Sequence, residues 1–242
     1  MTEDEFATVF EKLTGNRPFP WQWDLYDRWF AIGEFPRSCN IPTGLGKTSI
    51  IAIWLIALAN LRGKIPRRLV YVVNRRTVVD QTTDEVKKLR DNLGAARLFD
   101  RLRDVCALPL EPDQSPLALS TLRGALADNR EWSADPSRPA VISGTVDMVG
   151  SRLLFSGYGV GFKGKPLHAG FLGQDVLLVH DEAHLEPAFQ ELITAIETEQ
   201  KRCNDSFKLK VIELTATSRV SAARANGDAF ELTDSEKTPP VH

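Results

Sequence analysis

Two short segments carry residue types that could do chemistry on a phosphate. The first is Pro42-Thr43-Gly44-Leu45-Gly46-Lys47-Thr48. Gly44 and Gly46 let the backbone between Thr43 and Lys47 curl, so that its N–H groups can surround a phosphate. Lys47 brings a charge to the β- and γ-phosphates, and the Thr48 hydroxyl can bind Mg²⁺. The usual pattern has Gly or Ala where this chain has Ile41. The second segment is Asp181-Glu182-Ala183-His184, directly after the apolar run that ends at Val179-His180. A carboxylate at a strand end holds Mg²⁺, usually through water, and a second group orients or deprotonates the attacking water. Asp181 and Glu182 fit those two tasks, because adjacent residues at a strand end point in different directions. The two segments together predict ATP and Mg²⁺ as cofactors.

Loops of this kind need rigid elements behind them. Short β-branched runs read as buried strands at Cys39-Asn40-Ile41, Leu69 to Val73, Ala140 to Ser143, Val176 to Val179 and Val211 to Leu214. Stretches with helical spacing lie between them: Lys47 to Leu61, Thr77 to Leu93, Val146 to Phe155 and Pro187 to Arg202. This alternation predicts an α/β fold, a parallel sheet flanked by helices on both faces. The helix after Lys47 is apolar nearly all round, as expected for one buried against the sheet. Asp104 to Ser137 is richer in Pro, Asp and Ser and reads as a surface excursion. Ser156 to Gly173, Gly-rich with Lys163, Lys165 and His168, reads as a long loop.

The 242 residues, 43% hydrophobic and 26% charged, suffice for one large core or two small ones. A net charge of −2 points to neither nucleic acid nor an anionic membrane. It does not exclude nucleic acid, since strand phosphates are gripped locally by backbone N–H groups and helix N-termini. Cys39, Cys106 and Cys203 are scattered, with no CxxC pair, and suggest neither a zinc site nor a disulfide framework. The acidic start, Met1-Thr2-Glu3-Asp4-Glu5, is unlike a signal peptide, and the apolar run from Ile50 to Ala59 is too short to span a bilayer. A cytoplasmic protein without a membrane partner is expected. Residues 1–18 read as a lead-in, 19–235 as the domain, and 236–242, with Pro239-Pro240, as a cut at a linker.

In wording, Pro42 to Thr48 resembles helicase motif I, Asp181 to His184 a DEAH-type motif II, and Thr215-Ala216-Thr217 motif III. The resemblance implies the first RecA-like P-loop lobe of a superfamily 2 helicase. It implies that Thr215 and Thr217, with His184, couple the nucleotide site to the nucleic-acid site. Phe19-Pro20-Trp21-Gln22 resembles the Q motif, in which the Gln22 amide reads the adenine edge; a polar residue at a helix start is the alternative. Val72 to Thr77 sits where motif Ia would, and Gly144 to Met148 where motif Ib would. Asn74, Arg75, Arg76 and Thr145 are then expected on the phosphates of a single strand, with Arg123 as a further candidate.

Taken with Tyr71 to Gln81 and His180 to Leu185, the chain is similar to the signature helicase–nuclease of type I CRISPR systems, most like the subtype G (formerly U) form. That resemblance implies single-stranded DNA as substrate and recruitment by a guide-RNA surveillance complex. It also implies a second helicase lobe and an HD nuclease domain as further parts of the protein. Two departures stand out. The histidines, His168, His180, His184 and His242, supply no HD-type ligand set, so no nuclease is expected in this chain. Motifs IV to VI are absent, and with them the arginine finger. Three alternatives stay open: an isolated nucleotide- and DNA-binding module with negligible turnover, a DEAH-type RNA helicase lobe, and a non-helicase P-loop ATPase.

Overall fold

The computed structural model describes residues 1–123, 131–215 and 228–232. In chain order the elements begin with α1 (Glu3–Thr14), α2 (Pro20–Arg28), β1 (Ser38–Asn40), α3 (Ile50–Asn60), β2 (Arg68–Val73), α4 (Arg76–Asp91) and α5 (Phe99–Arg103). They continue with β3 (Ala118–Leu122), α6 (Glu131–Ala134), β4 (Ala140–Thr145), α7 (Val146–Leu153) and α8 (Gly164–Gly173). The last are β5 (Val176–Asp181), α9 (Pro187–Arg202), β6 (Leu209–Thr215) and β7 (Ala229–Glu231). Every strand pairing is parallel, in the order β3-β4-β2-β5-β6-β1-β7.

Successive residues of a strand face opposite sides, and the buried residues divide accordingly. Leu69, Tyr71 and Val73 of β2 pack with α1 to α5, whereas Val70 and Val72 pack with α6 to α9. The α/β architecture expected from the alternation is therefore the one observed. α3 is buried at every position from Ile50 to Ala59, in keeping with its all-round apolar sequence. Among the described residues, no helix is long and apolar enough to cross a membrane.

Four stretches differ from the sequence reading. The segment 104–137, read as a surface excursion, contains β3 and α6. Its strand, Ala-Leu-Ser-Thr-Leu, is weakly apolar, yet α4 and α6 cover it. The segment 156–173, read as a loop, contains α8. Gly164, Gly170 and Gly173 give α8 poor intrinsic propensity, so tertiary contacts must hold it. Leu172 is buried beneath it, and the Arg68 guanidinium donates to the carbonyls of Phe171 and Gln174 at its end. β7 lies beyond the last strand expected, as a three-residue edge beside β1. Finally, residues 1–18 include α1, which enters the same core through Phe6, Phe10 and Leu13. Its start carries a capping box between Thr2 and Glu5, and Gly15 ends it at φ 81°.

The sheet puts the candidate residues on one edge. Because all the strands run the same way, the ends of β1, β2, β4, β5 and β6 lie together. Val73 stands beside Thr145, Asp181 beside Leu214, and Asn40 beside Thr215.

Candidate functional site

The loop after β1 is anchored by its apolar residues. Ile41 and Leu45 are buried, and the Trp21 indole N–H donates to the Leu45 carbonyl at 3.2 Å. Ile41 carries the pairing with β6 one residue further, its N–H donating to the Thr215 carbonyl at 3.0 Å. Its side chain enters the core shared with α1 to α5, so the departure from Gly or Ala at this position adds no bulk to the loop interior. Gly44 and Gly46 lie at φ 88° and 73°. A Cβ at Gly44 would meet nothing within 4 Å, so conformation rather than space calls for glycine there. The chain then makes a 3-10 turn at Lys47–Ser49 before α3 begins. Thr43, Gly44, Leu45, Gly46, Lys47 and Thr48 are thus brought into one loop against the start of a helix, a geometry that favours an anion.

β5 presents the carboxylates. Asp181 accepts from the Tyr71 hydroxyl through Oδ2 at 3.0 Å and from the Glu182 N–H through Oδ1 at 3.0 Å. Burial raises the Asp181 carboxyl above its ordinary value of 3.8, and the Lys47 ammonium, the largest opposing influence, pulls it down. Glu182 takes the left-handed conformation, φ 53°, and is exposed. Asp181 is half-buried and Glu182 exposed, a difference of surroundings that suits two different carboxylate roles. An L residue in the left-handed region costs of order 1–2 kcal/mol, a strain that collects at functional sites.

The end of β5 is thus tied to β2 through one phenol. In the sequence Tyr71 looks like a core aromatic in an apolar strand. A hydroxyl two residues before the strand end is the one signal that separates it from its neighbours. His180 is fully buried with Nδ1 at 2.7 Å from the Gln190 amide, and burial lowers it to about 4, so it is neutral near pH 7.

Beside the loop lies a cavity of about 670 Å³, lined by Phe10, Pro18, Phe19, Gln22, Gly46 and Thr48 among others. Gln22 is 3% exposed. Its Oε1 accepts from the Phe19 N–H at 2.8 Å and its Nε2 donates to the Ser49 hydroxyl at 2.7 Å. The amide thus caps its own helix and ties it to the phosphate loop, while still bordering the cavity with one N–H to spare.

The other candidates share this edge but not one contact. Arg75 and Arg76 are exposed at the start of α4, whereas Thr145, at the start of α7, is buried and makes no side-chain capping bond. Arg123 is ion-paired with Asp80 of α4. Asn74 lines a second cavity of about 140 Å³ with Asp181 and Glu182, and its Oδ1 is buried without a partner. His184 is exposed in a 3-10 turn, Ala183–Leu185. Thr215, 5% exposed, has an unpartnered hydroxyl at the end of β6. Thr217 lies outside the described residues.

The donor set suits a hard cation. A hydroxyl and a carboxylate are oxygen ligands of the kind Mg²⁺ takes, with phosphates and water completing the shell rather than a protein cage. Because Asp181 is half-buried with its folded value raised, its charge weighs against the fold. Asp181→Asn is therefore expected to raise stability at neutral pH by about 0.5–2 kcal/mol. The sign follows from linkage. Below the ordinary value of 3.8 both proteins are neutral at this position and the gain vanishes; it develops as pH rises through the raised carboxyl. Thermal melts at several pH values check this, and an advantage greatest in acid would contradict it.

Residues 17–220 match the family described as Type III restriction enzyme, res subunit. The chain belongs to this family. No curated protein matches it. Among solved structures this res-subunit family member is similar to the DEAD-box helicase Mss116 bound to ssRNA and UDP-BeF. The two share 17% identity at a TM-score of 0.59, over 95% of this chain and 43% of that one. The yeast DEAD-box splicing factor Prp28 gives 17% identity and a TM-score of 0.56, over 96% and 49%. The Pyrococcus furiosus Hef helicase domain gives 21% and 0.51, over 89% and 38%. At these identities the likeness establishes the fold alone, a RecA-like α/β lobe. The chain spans under half the length of each of these three structures.

Proposed function

We propose that this chain is the first lobe of a DNA helicase or translocase, which binds Mg·ATP and, with a second lobe, hydrolyses it to move along single-stranded DNA. The observation that carries the reading is the left-handed glycine loop bearing Lys47 and Thr48 on the same sheet edge as Asp181, whose carboxylate Tyr71 holds, and Glu182. The backbone from Gly44 to Thr48 holds the phosphates and Lys47 their charge. Thr48 and Asp181 hold Mg²⁺, which when bound neutralises charge on the β- and γ-oxygens. Glu182 orients the attacking water. The adenine enters the cavity bordered by Phe19 and Gln22. Single-stranded DNA crosses the loops of Asn74 to Arg76 and Thr145, while Arg123, held by Asp80, is a weaker contact. The cavity shared by Asn74, Asp181 and Glu182 gives the two sites a common wall.

The wording of Tyr71 to Gln81 favours the CRISPR-associated helicase–nuclease as parent. In that reading an HD nuclease and a guide-RNA surveillance complex are partners, and the cytoplasm is the setting. A second lobe would supply the arginine finger, worth about 10³–10⁵ in rate, so the chain alone is expected to bind ATP and turn it over poorly. An RNA substrate is the competing reading, because Mss116 is bound to ssRNA.

Mg·ATP hydrolysis by the chain, with single-stranded DNA, with RNA and with neither, separates these. Stimulation of several-fold by DNA supports the reading, and stimulation by RNA alone replaces it with the RNA helicase. Binding without turnover assigns the chain to half of a motor. A folded protein that binds no ATP overturns the proposal.

A further inference from the structure

β2 reads Arg-Leu-Val-Tyr-Val-Val and is buried along its whole length. Tyr71, 0% exposed, sits on the face covered by α1 to α5 with Leu69 and Val73. Phenylalanine would fill the same volume, so packing explains the ring and leaves the hydroxyl unexplained. That hydroxyl donates to Asp181 Oδ2 at 3.0 Å, a carboxylate oxygen of the candidate site that can only accept.

We propose that Tyr71 is a positioning residue for the divalent ion of the nucleotide site. With Oδ2 held by the phenol of β2 and Oδ1 by the Glu182 N–H, the Asp181 carboxylate is fixed in one orientation with lone pairs left for a cation. Such supports set the orientation of groups that ligate metals, and their removal weakens metal affinity without removing a ligand. The inference deepens the nucleotide reading above and rests on it.

The test is Tyr71→Phe, read as binding of a non-hydrolysable ATP analogue to the chain across a Mg²⁺ titration. Affinity in EDTA is expected to stay within about twofold, because no phosphate contact is lost. The Mg²⁺ concentration giving half of the metal-dependent gain is expected to rise about tenfold, the scale of one hydrogen bond to a charged group. In an Asp181→Asn background the same change should add little, since the carboxylate being positioned is gone. An unchanged or lower Mg²⁺ requirement in Tyr71→Phe, or full additivity with Asp181→Asn, overturns the assignment. A wild-type chain that binds no analogue with or without Mg²⁺ removes the nucleotide site itself.

If Tyr71→Phe does not fold, ¹⁹F spectra of the fluorotyrosine-labelled chain decide. The sequence has three tyrosines, and Tyr26→Phe and Tyr158→Phe assign their signals. Mg²⁺ added to the analogue-bound protein should shift the Tyr71 signal and leave that of Tyr158, which is exposed. A Tyr71 signal indifferent to Mg²⁺ overturns the proposal.

Discussion

Glu182→Gln is expected to leave Mg·ATP bound with unchanged affinity and to slow its hydrolysis by at least about a hundredfold, the lower end for loss of a positioned general base. The geometry gives the reason. Asp181 is spent on the Tyr71 hydroxyl and the Glu182 N–H and faces the loop after β1. Glu182, with its left-handed backbone, is exposed and lines with Asp181 the cavity toward Asn74. Gln keeps size and shape but no longer accepts a proton, so binding and turnover separate. The rate is best read with DNA saturating and the second lobe present, and affinity by a fluorescent ATP analogue. Turnover like the wild type would remove Glu182 from the chemistry. A parallel loss of affinity would assign it to holding the ion instead.

Lys47→Ala is expected to weaken Mg·ATP binding by about tenfold to a hundredfold, the scale of a lost charge-assisted hydrogen bond to phosphate, and to abolish turnover. Its ammonium already acts on Asp181, opposing the rise that burial causes, so it stands between the two parts of the site. Removing it takes away a phosphate partner and leaves Asp181 more easily protonated, which compounds the loss of the ion. The fold should tolerate the change, since Lys47 is only half-buried and belongs to no core cluster. Calorimetric titration with Mg·ATP, beside a melting curve, checks both parts. Wild-type affinity in a folded Lys47→Ala protein would contradict the placement of the phosphates.

Much of the layout was legible in advance because it depends on local signals. The strands at Leu69 to Val73 and Val176 to Val179 announce themselves as apolar β-branched runs, and Pro187 to Arg202 as a helix with the same bounds that the structure shows. The glycines at 44 and 46 mark a backbone that must turn left-handed, and both do. β3 and α8 were not legible. A strand of Ala, Leu, Ser and Thr and a helix with three glycines have little propensity of their own. Each exists because neighbours distant in sequence cover it.

The amino-acid sequence by itself determined the alternation of β1, β2, β4, β5 and β6 with α3, α4, α7 and α9, the loop from Pro42 to Thr48, and the pair Asp181 and Glu182 at a strand end. Periodicity and turn chemistry act over a few residues, so they are written along the chain. Tertiary structure alone decided that a phenol from β2 would hold Asp181 and that Gln22 would bind Ser49. It also decided that Arg123 would be held by Asp80. These contacts join residues dozens of positions apart, brought together by the sheet order β2-β5-β6-β1 and the packing of α2 and α4 around it. No local pattern encodes them, since each partner alone is an ordinary tyrosine, glutamine or arginine.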